Sequence, residues 1–148
     1  LEINFYSHHN IIQKIANIMI SQGFGGSISI NLSKQSINPG KNFGPYGIAK
    51  ASSLFLMKQY ALEFGKYNIR VNGINADRIK SGLLTDDFIK QRAKARNISP
   101  FEYLNNNLLK KEVKSEDVAE AFFAQLSFKK TTGNIITVDG GNIEASLR

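Results

Sequence analysis

Tyr46 and Lys50 are the residues of this sequence whose types and spacing point most directly to chemistry. They lie four positions apart in the segment GPYGIAK, residues 44–50, and side chains at that spacing are neighbours on a helix. An ammonium group beside a phenol favours the phenolate and lowers the pKa of the phenol from its usual value of about 10. Such a tyrosine can exchange a proton with a carbinol or carbonyl oxygen. The pair therefore predicts general acid/base chemistry, with an accidental pair on a half-exposed helix as the alternative.

A second hydrogen-bond donor is needed to hold the substrate oxygen, and Ser33 is the candidate. It ends the segment SISINLS, residues 27–33, which alternates small polar and apolar residues in the manner of a strand. An α/β sheet presents its ligands at that end of its strands. A bare Y-x-x-x-K pattern arises by chance in many chains. Tyr46, however, is the only one of the five tyrosines with a lysine at this spacing, and the alternative for Ser33 is an ordinary turn residue.

Helices and strands alternate along the chain that must position these residues. Apolar periodicity, helix-start signals and short apolar runs predict helices at 3–22, 45–66, 85–97 and 115–127, and strands at 27–33, 68–75 and 134–141. Strands joined through helices form parallel sheets. The sequence thus predicts an α/β fold with about three parallel strands, the first at an edge, which resembles the C-terminal half of a doubly wound, Rossmann-like sheet.

Composition narrows the chemistry further. The 148 residues are 42% hydrophobic and 21% charged, as in an ordinary globular protein, and contain no cysteine. Disulfides and thiolate catalysis are therefore excluded. The two histidines, His8 and His9, are adjacent and cannot share a helix face, so no metal site is predicted. No apolar run spans a membrane and no leader is recognisable, which predicts a cytoplasmic chain; the initial leucine suggests a fragment.

The net charge of +7 raises the possibility of an anionic partner. The densest basic segment carries Lys90, Arg92, Lys94 and Arg96 at every second position, so on a helix they wrap around it. A solvated helix is the favoured interpretation, and an anionic ligand is the alternative. No nucleic-acid-binding signature accompanies the charge, so no nucleic-acid partner is predicted. Residues 85–105 are polar and follow the second strand, which predicts a mobile helical lid.

Three segments together resemble the C-terminal half of the short-chain dehydrogenase/reductase family. They are GSISINLS, then GPYGIAKASSLFLMKQYALEFGKYNIRVNGIN, then TGNIITVDGGN, in the family's order and spacing. The resemblance covers nearly the whole chain. It implies that residues 1–148 form a single partial domain lacking the N-terminal dinucleotide-binding half.

The resemblance also implies a role for each matched residue. Ser33 would orient the substrate oxygen, Tyr46 would be the general acid/base, and Lys50 would bind the nicotinamide ribose beside it. Asn4, in LEINF, matches the family asparagine that holds a water for proton relay; its alternative is a surface helix residue. The implied reaction is hydride transfer between NAD or NADP and a small carbinol or carbonyl substrate.

Two departures from the family pattern concern the cofactor. Ala76 and Asp77 stand where the family usually has Pro-Gly, and Asp77 and Ser81 are the remaining candidates for cofactor contacts. The glycine-rich pyrophosphate loop is absent, because GFGG precedes a strand and DGGN precedes no helix of useful length. We therefore expect this chain alone to bind the cofactor weakly or not at all. The alternative to an oxidoreductase module is a remnant that folds and dimerises without turnover.

Two finer expectations complete the sequence analysis. NADRIKSGLLT, SKQSINPG and VDGGNIEASLR are similar to the dehydrogenase part of bifunctional aldolase/short-chain dehydrogenases, which implies a lactaldehyde-like substrate or another sugar-derived hydroxy-aldehyde. A homo-oligomer is also expected, because the helices at 3–22 and 45–66 carry more apolar positions than one sheet face can hide. Those positions are Phe5, Ile18, Phe55, Leu56 and Tyr60.

Overall fold

The computed structural model describes residues 1–142, so the last six residues of the VDGGNIEASLR segment lie outside the described part. The regular elements are α1 (Ser7–Gln22), β1 (Gly26–Asn31), α2 (Gly44–Phe64), β2 (Ile69–Ala76), α3 (Asp86–Lys94), α4 (Pro100–Asn105), α5 (Ser115–Ser127) and β3 (Ile135–Val138). A π-helical turn (Glu2–Tyr6) precedes α1, and 3-10 turns occupy Lys34–Ser36 and Gly65–Tyr67. The predicted helices and strands occur in the predicted order, and α4 is an additional helix between the third and fourth predicted ones.

The three strands form one parallel sheet in the order β1-β2-β3, with β1 at an edge. Ile28 pairs with Val71 across the first pair of strands, and Gly73 pairs with Ile135 across the second. This confirms the predicted α/β fold. Because all three strands run the same way, their carboxyl ends meet at one edge of the sheet, which is where such folds bind ligands.

The main core lies between the sheet and the helices α1 and α2. Its buried members include Ile12 and Ala16 of α1, Met57 of α2, and Ile69 and Val71 of β2. β2 is buried along most of its length, as expected for the central strand of a parallel sheet that is covered on both faces. α1 ends at Gly23, whose φ of 72° is the left-handed conformation that glycine adopts at a helix C-terminus.

A second, smaller core lies between α3 and α4 and was not predicted as a separate unit. It consists of Ile89, Ala93, Tyr103 and Leu104. The predicted 85–97 helix ends earlier, at Lys94, and a short helix α4 follows. Ser99 caps α4: its Oγ accepts a hydrogen bond from the Glu102 backbone, and the Glu102 carboxylate accepts one from the Ser99 N–H. The sequence S-P-x-E carries this capping signal, so α4 could have been found.

Two predicted strands are shorter in the structure. β1 ends at Asn31, so Ser33 does not end the strand but begins the 3-10 turn Lys34–Ser36. β3 covers only Ile135–Val138 of the predicted 134–141. The chain turns after Val138 because Gly140 adopts a left-handed φ of 63° and Asp139 accepts a hydrogen bond from the Gly141 N–H.

The prediction that Tyr60 belongs to an exposed apolar surface was wrong. Tyr60 is 1% exposed, and its ring stacks on Phe64 at 5.0 Å. Its hydroxyl lies 2.7 Å from Nδ1 of His9, on the facing helix α1. This polar partner allows the phenol to be buried between the two helices. Phe55 and Ile18 are exposed as expected, and Phe5 and Leu56 are half-buried.

No helix of residues 1–142 combines the length and the apolar composition that crossing a bilayer requires.

Candidate active site

A cavity of about 700 Å³ lies at the carboxyl edge of the sheet. Its walls come from the segments that follow β1 and β2, the first turns of α2, and the helix α3. All six residues predicted from the sequence line it: Asn4, Ser33, Tyr46, Lys50, Asp77 and Ser81. The structure therefore brings the predicted site residues together, while their individual roles stay predictions.

Lys50 is the most buried cation of the site. The residue is 5% exposed, and Nζ donates a hydrogen bond of 3.0 Å to the backbone carbonyl of Asn31, at the end of β1. Burial lowers the pKa of this ammonium group from its usual value. Nζ lies 5.8 Å from the centroid of the Tyr46 ring, one turn earlier on α2. The helix α2 thus places Lys50 one turn after Tyr46, and the Asn31 carbonyl at the end of β1 fixes the position of the Lys50 ammonium group.

Tyr46 lies in the first turns of α2, which begins at Gly44 with Pro45 next to it. Proline suits this position because its fixed φ matches the helix and its missing N–H has no partner there. The Tyr46 ring is half-buried and packs edge-on against Phe43, with the centroids 5.9 Å apart. The phenol is therefore held at the cavity wall.

Ser33 is 9% exposed and lies opposite these residues, in the turn that follows β1. Its Oγ accepts a hydrogen bond of 3.2 Å from the backbone N–H of Gln35. Its backbone carbonyl accepts one of 2.6 Å from the Ser36 hydroxyl. Because Oγ acts as an acceptor within the turn, its own hydrogen stays available for donation to a substrate oxygen. Ser33 is both a turn residue and a potential substrate donor.

Asn4 enters the cavity from the π-helical turn Glu2–Tyr6. Its backbone carbonyl accepts a hydrogen bond from the hydroxyl of Ser53, which is fully buried on α2 and also contacts the carbonyl of Ala49. The bond fastens the π turn to the helix that carries Tyr46 and Lys50. Single π turns are rare and are frequent at functional sites.

Asp77 and Ser81 follow β2 and already have polar partners within the protein. Oδ2 of Asp77 lies 3.7 Å from Nε of Arg78 and accepts a hydrogen bond from the Asn142 amide. The Ser81 hydroxyl accepts from the backbone N–H groups of Leu83 and Leu84, at 3.2 Å each. Both residues shape the cavity rim, and contacts with a cofactor stay a prediction.

An ion pair between Lys34 and Asp139 was not found by sequence reasoning. Their side chains are nearly buried and 2.9 Å apart. The pair joins the turn that carries Ser33 to the end of β3. The two residues are 105 positions apart, so no local pattern could have signalled the contact.

His8 also lies in this region. Burial, and then the positive charge of Lys50, lower the pKa of its imidazole. Its Nδ1 is buried without a hydrogen-bond partner in the described part of the chain. Among residues 1–142 no group of three histidines, cysteines or carboxylates is placed to hold a metal ion.

Two arginines of the basic segment line the cavity as well. Arg92, on α3, and Arg96, just beyond it, line the cavity. Lys90 and Lys94 are exposed and do not line it. The alternating spacing alone could not distinguish the two pairs. The turn between α3 and α4 decides which charges meet the cavity.

The residues present fit one end of a nicotinamide dinucleotide. Lys50, Tyr46 and Ser81 offer a cation and hydroxyl groups around a cavity of suitable position. Neither strand-to-helix connection of residues 1–142, β1–α2 or β2–α3, carries the G-x-G-x-x-G spacing that would receive the pyrophosphate. The chain thus suits the nicotinamide end and does not hold the usual pyrophosphate loop.

Comparison with known proteins identifies the family. Residues 1–142 match a family model described as enoyl-(acyl carrier protein) reductase. An uncharacterized oxidoreductase of Bacillus subtilis, YuxG, is 37% identical over 131 residues, which are 83% of this chain and 19% of YuxG. L-rhamnose 1-dehydrogenase (NAD(P)(+)) of Sphingomonas sp. is 29% identical over 143 residues, 95% of this chain and 54% of the relative.

Solved structures agree with this assignment. A short-chain type dehydrogenase/reductase from Mycobacterium ulcerans superposes with a TM-score of 0.80 at 29% identity, covering 95% of this chain and 49% of that one. The chain thus spans about half the length, or less, of the relatives it matches. The chain belongs to the short-chain dehydrogenase/reductase family of oxidoreductases.

Proposed function

We propose that this chain is the catalytic half of a nicotinamide-dependent dehydrogenase and moves the proton in the interconversion of a carbinol and a carbonyl. One observation carries the proposal. Tyr46, Lys50, Ser33 and Asn4 surround a single cavity at the carboxyl edge of the sheet, and the Lys50 ammonium is anchored there to the Asn31 carbonyl.

Each residue has a definite task in the oxidation direction. Ser33 donates a hydrogen bond to the substrate oxygen, and Tyr46 accepts the hydroxyl proton as the carbon–oxygen double bond forms. The Lys50 ammonium lies 5.8 Å from the centroid of the Tyr46 ring, so a positive charge stands beside the phenol during this transfer. Asn4 lies at the cavity wall, where its side chain can hold a water molecule that passes the proton on to solvent. A nicotinamide held beside Lys50, Tyr46 and Ser81 would supply the oxidant, as acceptor of the hydride that leaves the carbinol carbon.

The partial length of the chain has a consequence for cofactor binding. The relatives are about twice as long or longer, and residues 1–142 hold no usual pyrophosphate loop. We infer that the dinucleotide-binding half is supplied by sequence outside this chain. The chain alone should bind NAD(H) weakly or not at all, and the choice between NAD and NADP belongs to that other half.

The substrate proposal is a small hydroxy-aldehyde or related sugar-derived carbonyl compound, lactaldehyde-like in size. It rests on the sequence resemblance to the bifunctional aldolase/short-chain dehydrogenases. The relative named for L-rhamnose oxidation with NAD(P)⁺ supports a sugar-derived substrate. This chain covers 19% of YuxG, so that relative is a much longer protein.

We also propose that the protein is at least a homodimer through α1 and α2. Exposed apolar residues form a stripe on each helix: Ile11, Ile15 and Ile18 on α1, and Ile48, Phe55 and Leu62 on α2. The spacing of seven on α2 keeps its three residues near one face. A second copy would bury both stripes. Sedimentation should show a dimer that Phe55→Glu dissociates. Phe101→Glu is the matched control, because Phe101 is similarly exposed but lies on α4, outside both stripes. A monomeric wild type contradicts the proposal.

The catalytic proposal is tested in the protein that contains this chain. Tyr46→Phe removes only the hydroxyl group, so we expect turnover to fall about 10²–10⁴-fold while the fold is kept. Tyr67→Phe is the matched control, because Tyr67 does not line the cavity. Circular dichroism checks the fold. Turnover of the Tyr46→Phe variant within a few-fold of wild type would overturn the assignment, and a chain without turnover in any form would support the alternative of an inactive remnant.

A further inference from the structure

The side of the cavity opposite the sheet is built from arginines packed on aromatic rings. The Arg92 guanidinium lies 4.7 Å from the Phe43 ring centroid and 5.8 Å from that of Phe88. The Arg96 guanidinium lies 5.4 Å from the ring centroid of Tyr103. We call these two arginines and three rings the arginine wall. All five residues line the cavity that contains Tyr46.

The stacking fixes the guanidinium of Arg92 without using all of its hydrogen bonds. Its Nη1 donates to the backbone carbonyl of Lys41 at 3.1 Å, while Nε is buried and finds no hydrogen-bond acceptor in the described part of the chain. A buried donor without a partner costs free energy until an acceptor fills the site. Stacked guanidinium groups keep their in-plane donors available and suit two-point binding of carboxylate or phosphate.

Neighbouring carboxylates do not neutralise the arginine wall. Among residues 1–142, Asp77 is the only carboxylate that lines the cavity, and it lies by Arg78 and Asn142. Asp86 and Asp87, on the first turn of α3, pair with Lys80 and Lys90. Within residues 1–142, Arg92 and Arg96 form no ion pair: the Arg92 side chain donates to the carbonyl of Lys41, and the Arg96 side chain donates to that of Arg92.

The wall lies next to the proposed reacting centre. Phe43 packs against both groups. Its ring centroid lies 5.9 Å from that of Tyr46, in an edge-on arrangement, and 4.7 Å from the Arg92 guanidinium. One aromatic ring therefore separates the proton-transfer residue from the nearer arginine. A substrate that places its reacting oxygen at Tyr46 and its far end at Arg92 would lie along this ring.

We propose that the arginine wall binds an anionic group, a phosphate or a carboxylate, of the substrate whose oxygen lies at Tyr46. This rests on the proposed function for the identity of the reacting end, but the anion site itself depends only on Arg92 and Arg96. The substrate class becomes a hydroxy-aldehyde or hydroxy-ketone with a negative charge at the end remote from the reacting carbon.

Binding to the 148-residue chain tests the anion site without any turnover. Isothermal titration and amide chemical shifts would compare three probes: inorganic phosphate, glyceraldehyde 3-phosphate with glyceraldehyde as its neutral partner, and succinic semialdehyde with butanal as its neutral partner. We expect at least one anionic probe to bind about tenfold or more tightly than its neutral partner, with shifts at Phe43 and Phe88. The probe that binds more tightly tells phosphate from carboxylate.

Variants assign the binding to the wall. Arg92→Gln should weaken the favoured anion about tenfold or more, and Arg96→Gln, at an exposed position that tolerates change, should weaken it several-fold. Lys94→Gln is the matched control, because it removes the same charge from the same helix but does not line the cavity. Equal binding of charged and neutral probes, or an equal loss in Lys94→Gln, overturns the proposal.

The same titration in Tyr46→Phe separates the two proposals. Anion binding should persist in this variant, because the phenol hydroxyl is not part of the wall. Persisting anion binding with unchanged turnover would contradict the proposed function alone, and lost turnover with no anion preference would contradict the arginine wall alone.

Discussion

The two sides of the cavity differ in how the fold holds them. We call the side formed by the ends of β1 and β2 and the first turns of α2 the floor. It packs on the main core, where Met57 and Val71 are fully buried. The wall, formed by α3 and α4, has only the small core of Ile89, Ala93, Tyr103 and Leu104. The proposed proton transfer thus lies on the side with the larger core, and the proposed recognition of the remote end of the substrate lies on the side with the smaller one.

The difference has a physical reason. General acid/base chemistry needs the phenol, the ammonium and the strand carbonyl fixed relative to one another, and a sheet edge provides this. A unit with few buried apolar contacts opens at lower free-energy cost and can admit a substrate. The structure is therefore consistent with a division in which α3 and α4 move while Tyr46 and Lys50 do not.

Truncation of the two cores should give the largest effects and should differ in kind. Met57→Ala should lower the free energy of unfolding by about 2–5 kcal/mol, because it leaves a cavity in the main core. Ile89→Ala should cost less in global unfolding, since its core is small and can open by itself. Urea unfolding followed by circular dichroism measures both; equal losses would mean that α3 and α4 belong to the main cooperative unit.

Hydrogen exchange sharpens the same comparison in the unmodified protein. The prediction that residues 85–105 form a mobile lid requires the amides of α3 and α4 to open more easily than those of α2, by about 2 kcal/mol or more. Ile89→Ala should widen this gap, and Met57→Ala should narrow it by lowering the protection of α2. Similar protection of α2 and α3 in the wild type would contradict the lid.

Lys50, the buried cation of the floor, should make a smaller, pH-dependent contribution to the free energy of unfolding. Burial lowers the pKa of Lys50 in the fold below the usual 10.5. Between the lowered pKa of the folded state and 10.5, Lys50 binds a proton in the unfolded chain but not in the folded chain. The free energy of unfolding therefore rises with pH over that interval. A single group contributes at most about 1.4 kcal/mol per pH unit. Lys50→Met should remove this rise.

The matched control for that measurement is Lys58→Met. Lys58 lies on the same helix and is exposed, so its loss should leave the pH dependence unchanged. Unfolding free energies from neutral pH to about 10.5 provide the comparison. A wild-type slope that survives in Lys50→Met would show that Lys50 is not the group responsible.

Local patterns in the sequence were sufficient for the order of elements and for the Tyr46–Lys50 pair. Helix and strand periodicity depends on nearest neighbours, and residues four apart on a helix must be adjacent. Alternation of strands and helices implied parallel pairing, and parallel pairing implied that the ends of β1 and β2 share one edge. The capping sequence S-P-x-E at 99–102 is equally local and marks the start of α4, so this helix was predictable from the sequence as well.

Only the tertiary structure decided what surrounds that pair. The burial of Lys50 against Asn31, the fastening of the Asn4 turn by Ser53, and the contact of Lys34 with Asp139 join residues 19, 49 and 105 positions apart. The burial of Tyr60 depends on His9 in another helix, and the arginine wall depends on the turn between α3 and α4. Such contacts are set by how whole elements pack, because a side chain's periodicity along its own helix does not specify which element will cover it.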